Sequence, residues 1–188
     1  MQTIFFAALE MTYTQASHEA NLILALLGRH NIRLVAAESC TGGLLASFLT
    51  SIPGASQHFC GSLVVYRDDS KSKWLGVEKK LLDDPLITSV SSLVTEKLAR
   101  EALSRTPEAS LAFAITGHLG PNAPADQLGI VHTTVAFKHS GDCDSHTEQL
   151  RIPSETTSPF QTRVAMQHRA TLHALEFLRE KIETRFSG

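Results

Sequence analysis

Apolar positions follow two rhythms along the chain. Ala20, Leu22, Ile23, Leu26 and Leu27 fall at helical spacing, and Gly28 with Asn31 offers an end, so a helix is predicted over 18–31. Leu34-Val35-Ala36-Ala37 is a short apolar strand within 33–38. Ser39-Cys40-Thr41-Gly42-Gly43 then reads as a turn, and 44–50 as a helix closed by Ile52-Pro53-Gly54. A β-branched strand is predicted over 62–66 and a short helix over 69–75, ending at Gly76. Ser91 is a plausible N-cap for a helix reaching residue 102 or 105. Residues 110–115 are a buried-strand run, 117–129 a loop rich in Gly and Pro, and 130–138 an alternating strand. A hairpin turn over 141–145 leads into a strand ending at Ile152, and 157–184 closes the chain as a helix. The early strands alternate with helices, which favours parallel pairing, while the hairpin requires antiparallel pairing. A mixed sheet with helices on both faces follows.

Length and composition narrow this further. At about 150 residues per domain, 188 residues make one domain. We therefore expect a single domain over 16–188, with residues 1–15 as a leader and either Met1 or Met11 as the true start. Lys plus Arg number 17 against 19 Asp plus Glu. That balance leaves no electrostatic footprint for nucleic acid or an acidic membrane. Three cysteines without C-x-x-C spacing point to a reducing, cytoplasmic location. The apolar runs over 4–9 and 22–27 are far shorter than the roughly 20 residues a bilayer requires. Residues 1–10 lack the basic start of a secretion signal.

Three segments carry candidate chemistry. In the first, a strand feeds small hydroxylated residues, two glycines and a helix start. Glycines let a ligand approach the backbone, and a helix N-terminus presents unpaired N–H groups to an anion or oxyanion. Ser39 stands where a nucleophile would stand. The plainer alternative is that Ser39 or Thr41 only caps the helix. In the second segment, Tyr66-Arg67-Asp68-Asp69-Ser70-Lys71, Lys71 is a candidate base for a serine if burial or the cations Arg67 and Lys73 lower its pKa, with Tyr66 orienting the proton. The alternative is an edge tyrosine and a solvated lysine. The third segment, Thr116-Gly117-His118-Leu119-Gly120-Pro121, ends a strand in a turn, where α/β sheets make ligand contacts.

The other reactive residues suggest less. Nine histidines invite a metal, but there is no H-E-x-x-H, and His168 and His173 share no helix face well, so no metal site is expected. Cys40 is expected as a small buried residue, and His132, His139 and His146 as exposed ones.

Taken together and in this order, the segments resemble the C-terminal domain of the CinA family, which includes nicotinamide-nucleotide amidases. Residues 37–43 are similar to its A-E-S-C-T-G-G. Tyr66 and Lys71 fall on its Y-S-N-x-x-K, Leu75-Gly76-Val77 on its L-G-V, and Thr116, Gly117, Gly120 and Pro121 on its T-G-I-A-G-P. The resemblance covers about residues 17–180. It implies an α/β fold, a three-layer α/β/α sandwich with a mixed, mostly parallel sheet. It also implies hydrolysis of the carboxamide of nicotinamide mononucleotide, a pyridine nucleotide, without a cofactor, by a homo-oligomer serving nucleotide salvage. Carried over, Ser39 would be the nucleophile and Lys71 the base, with Tyr66 assisting. Thr41, Gly42 and Gly43 would give backbone donors, Thr116 and Gly117 would line the pocket, and Arg163 would meet the phosphate. The chain departs from the pattern at Arg67-Asp68, at His118-Leu119, over 122–127, and at Gln167, where the family has a second arginine. These departures keep two alternatives open: a non-catalytic nucleotide- or partner-binding member, or an amidase for another small carboxamide.

Overall fold

A computed structural model describes residues 2–139, 142–153 and 159–187. The elements run α1 (Gln2–Arg29), β1 (Leu34–Glu38), α2 (Leu44–Thr50), a 3-10 turn (Ala55–Gln57), β2 (Phe59–Val64), α3 (Asp68–Leu75), α4 (Lys79–Leu82), α5 (Ser92–Arg105), β3 (Leu111–Gly117), β4 (Ile130–His139), β5 (Asp142–Arg151) and α6 (Pro159–Phe186). The sheet order is β2-β1-β3-β4-β5. β1 pairs parallel with β2 and β3, and β4 and β5 add antiparallel ladders, so the mixed sheet divides two and two.

Side-chain alternation builds the layers. Leu34, Ala36, Leu111, Phe113 and Ile115 point to a core shared with α1, α2 and α6. Val35, Ala37, Ala112 and Ala114 point to the opposite core, against Val94, Leu98 and Ala102 of α5. Because both faces of β1 are covered, all five of its residues are buried, and the strand reads as an unbroken apolar run. β5 forms one edge and alternates between exposed and half-buried positions. The fold is thus an α/β sandwich with helices on both sides of a mixed sheet.

Several boundaries differ from the sequence expectation. The first helix begins at Gln2 rather than at residue 18 and runs without a break through residues 15 and 16. Ala16 and Ala20 are buried in the α1/α6 core, and Arg179 of α6 donates to Glu19 at 2.6 Å. β2 starts at Phe59 and stops at Val64, so Tyr66 lies beyond the strand. The one-turn α4 has too little periodicity to be read from the sequence. His132 is buried rather than exposed, because β4 is an inner strand under α5; its Nδ1 lies 3.0 Å from Ser92 Oγ. His139 and His146 are exposed. Of the hairpin turn expected over 141–145, residues 142–145 belong instead to β5, which pairs with β4 from its first residue; Gly141 and the helix start expected at Thr157 lie outside the described residues.

Candidate active site

The turn after β1 is organised by a carboxylate. Glu38 is completely buried. One of its oxygens accepts from Thr41 Oγ1 at 2.8 Å, Gly43 N at 3.0 Å and Leu45 N at 3.1 Å. The other accepts from Ala46 N at 3.0 Å and Ser62 Oγ at 2.9 Å. A helix leaves its first N–H groups without intrahelical partners, and here an acidic side chain from the preceding strand takes them. Gly42 and Gly43 have φ of 65° and 99°, the left-handed backbone that reverses the chain into α2.

Thr41 and Gly43, expected as substrate donors, therefore donate to Glu38, and Gly42 N donates to Ser39 O at 3.2 Å. The donors at the α2 N-terminus serve the turn. Ser39 itself is held by its N–H, which donates to Ile115 O at 3.0 Å, and it lines a cavity of about 460 Å³.

Tyr66, Asp68 and Lys71 line the same cavity. Val65 N donates to Glu38 O, which continues the β2 pairing and delivers Tyr66 to the rim. At the start of α3, Arg67 N donates to Ser70 Oγ at 3.1 Å. Lys71, one turn along, is 2% exposed and its Nζ lies 3.0 Å from Asp68 Oδ1. The sequence expectation placed Arg67 and Lys73 beside Lys71. In the structure neither lines the cavity, and the group against Lys71 is a carboxylate. Lys73 instead faces Asp69 at 3.9 Å in solvent.

The third segment forms the opposite wall. Thr116 does not reach the cavity: its hydroxyl is buried 2.7 Å from that of Thr95. Gly117 does line it, and a Cβ there would come within 2.9 Å of Val131 Cγ2 and 3.0 Å of Cys40 Sγ. His118 lines the cavity, and burial lowers its pKa, so the imidazole is neutral near pH 7. Cys40 is pushed up to about 12 by burial, so it presents a thiol rather than a nucleophilic thiolate.

Helix α6 closes the remaining side. Arg163 donates from Nη2 to the Tyr66 hydroxyl at 2.9 Å and from Nη1 to Gly120 O. One turn further, Gln167 Nε2 donates to Cys40 O at 3.0 Å, so α6 grips the turn that carries Ser39. No cluster of three potential metal ligands occurs among the described residues.

Of the expected residues, Ser39, Tyr66, Lys71, Gly117 and Arg163 are thus brought together; Thr41, Gly42, Gly43 and Thr116 support the turn and strand behind them. Glu38, Asp68 and His118 were given no role by the sequence reading. The first two had visible signals: an acidic residue closing an apolar strand before a small-residue turn, and an acid three residues before a lysine on a helix.

This arrangement defines an α/β domain with a serine, a lysine and an arginine around one cavity at the ends of parallel strands. The family model of the CinA C-terminal domain matches residues 16–182, and the chain belongs to that family. A CinA-like protein of Gloeobacter violaceus is 33% identical over 165 residues, covering 87% of this chain and 36% of its own length. One of Mycobacterium marinum is 36% identical over 151 residues, covering 80% and 33%. The chain thus spans about a third of the length of these curated relatives. A solved CinA superfamily protein of Klebsiella pneumoniae superposes with a TM-score of 0.75 at 26% identity, covering 90% of this chain and 98% of that one. A competence/damage-inducible protein of Agrobacterium tumefaciens gives 0.73 at 29%, covering 87% and 95%. No helix among the described residues is long and apolar enough to cross a membrane.

Proposed function

We propose that the protein is an amidohydrolase that converts nicotinamide mononucleotide to nicotinate mononucleotide and ammonia. The observation that carries this reading is the convergence of Ser39, Tyr66, Lys71 and Arg163 on one cavity, from β1, the β2–α3 connection, α3 and α6. Ser39 Oγ attacks the amide carbonyl carbon while the Lys71 amine accepts its proton. Lys71 then passes that proton to the departing nitrogen, ammonia leaves, and an ester remains on Ser39. Water, deprotonated by Lys71, attacks the ester and releases the carboxylate and Ser39.

Because Glu38 occupies the donors of α2, charge on the tetrahedral intermediate falls to the cavity's own cations, Lys71 and Arg163. The reading needs no cofactor and places the protein in the cytoplasm, as a homo-oligomer. Ammonia release from nicotinamide mononucleotide, measured for the protein and for Ser39→Ala, tests it. Release that disappears in the variant is expected, and an equal rate in both overturns it.

One observation favours a second reading, a member that binds a nucleotide without turning it over. Lys71 is engaged by Asp68 rather than unpaired. Nucleotide binding without ammonia release would establish that reading.

A further inference from the structure

Asp68 is the one carboxylate that lines the cavity among the described residues. Its side chain is 53% exposed, whereas that of Lys71, its partner at 3.0 Å, is 3% exposed. The carboxylate therefore stands at the solvent side of the pair, where an incoming ligand meets it before it meets the ammonium. None of the other charged or titratable groups on the wall presents a free negative charge. Arg163 is positive and already bound to Tyr66 and Gly120, and His118 is neutral. Glu38 is sealed behind the turn by five donors. Tyr66 is exposed at the same rim, but its ring already carries the Arg163 guanidinium at 5.9 Å from the centroid, so Asp68 is the group left to meet a cationic ligand.

We infer that Asp68 is the specificity-determining group of this cavity: it selects an amide carried on a permanently cationic aromatic ring, and that ring competes with Lys71 for the Asp68 carboxylate. The inference rests on the amidase reading for its consequence but not for its test. When the ring takes the carboxylate, Lys71 loses its counter-ion and gains a like charge nearby. Both changes release the Lys71 side chain from its ion pair and leave it available to Ser39. A neutral-ring amide leaves the ion pair intact. The substrate's own charge would then arm the base.

The test is binding by calorimetry in the Ser39→Ala background, where turnover does not interfere. The two probes are nicotinamide mononucleotide and its reduced dihydro form, which keeps the amide and phosphate but has a neutral ring. Preference for the cationic form by about tenfold is expected, falling to within about twofold on adding Asp68→Asn. Adding Lys71→Met instead removes the competitor and tightens binding of the cationic form alone, which a merely structural ion pair would not do. Equal affinity for the two probes without either added change, or weaker binding of the cationic form in Lys71→Met, overturns the inference. Failure of the amidase reading appears separately, as absence of ammonia release from the unsubstituted protein.

Discussion

Arg163 and Tyr66 lie 97 residues apart in sequence and meet at one hydrogen bond, the guanidinium Nη2 donating to the phenol oxygen at 2.9 Å. The guanidinium carbon also sits 5.9 Å from the ring centroid. Since the same side chain donates to Gly120 O, a single arginine ties α6 to the wall carrying Tyr66 and to the loop after β3. Loss of Arg163 would therefore open the cavity as well as remove a cation. Arg163→Ala is expected to weaken binding of nicotinamide mononucleotide by about tenfold or more. Arg163→Lys should recover little, because one ammonium cannot reproduce the two-ended fork. Calorimetric titration of both variants checks this, and recovery by lysine would show that charge alone matters.

Glu38 gives a stability prediction. Its five donors include three backbone N–H groups with no other partner in a short helix. Glu38→Gln keeps the volume but turns one acceptor into a donor facing other donors. Leaving buried donors unpaired costs about 1–3 kcal/mol each, so a loss of about 3 kcal/mol is expected in urea unfolding. Ser62→Ala removes only one of the five and should cost about 1 kcal/mol. Equal losses would mean that the carboxylate does not organise the turn.

These residues also show what the sequence could and could not disclose. Ser39 and Lys71 were singled out by local chemistry, Ser39 before a glycine pair and Lys71 on a helix just after a strand, but only the family resemblance gave them catalytic roles over the plainer alternatives. The layers were legible from the alternation of early strands with helices and from the late hairpin, and the full burial of β1 agrees with helices on both faces. The fate of the turn donors was not legible, since whether a helix N-terminus faces a ligand or a neighbouring carboxylate depends on the rotamer of Glu38. Nor was the burial of His132, because an alternating strand reads alike at a sheet's edge and in its interior. The early start of α1 was missed because the contacts of that stretch come from distant sequence: Ala16 packs in the core shared with α6, and the Tyr13 ring lies 5.0 Å from that of Phe48.

Gly117, expected in a loop, is the last residue of β3 and is tightly packed. A methyl group there meets Val131, Cys40 Sγ and the Ile130 carbonyl oxygen, all within 3.1 Å. Gly117→Ala is expected to destabilise the protein by about 1–3 kcal/mol and to displace Cys40, hence its neighbour Ser39. Combining it with Cys40→Ala removes one of the three obstacles. Chemical denaturation of the two single variants and the double variant should then show a favourable coupling of about 0.5 kcal/mol or more. Strict additivity would mean that the strain is relieved through Val131 instead.

Acid sensitivity follows from the buried imidazoles. Burial lowers the pKa of His118, His132, His168 and His173. In the unfolded chain these rings take up protons around pH 6.5, whereas in the fold they resist. Between those values the unfolded state binds more protons, so stability rises with pH; it is complete above about 6.5 and declines as the pH falls toward the lowered values. Glu176, whose pKa burial raises, opposes this as a single group, and the lowered carboxylates such as Glu96 titrate at lower pH still. The urea midpoint should therefore drop between pH 7 and pH 5, before those carboxylates are neutralised. His168 packs edge-on against Phe48 with its Nδ1 buried and unpaired, so His168→Phe replaces a titrating ring with an inert one of similar shape. That variant should show a shallower decline over the same interval. An unchanged slope would assign the acid response to the other three histidines, and a midpoint that does not fall between pH 7 and pH 5 would mean that all four rings accept protons without leaving the fold.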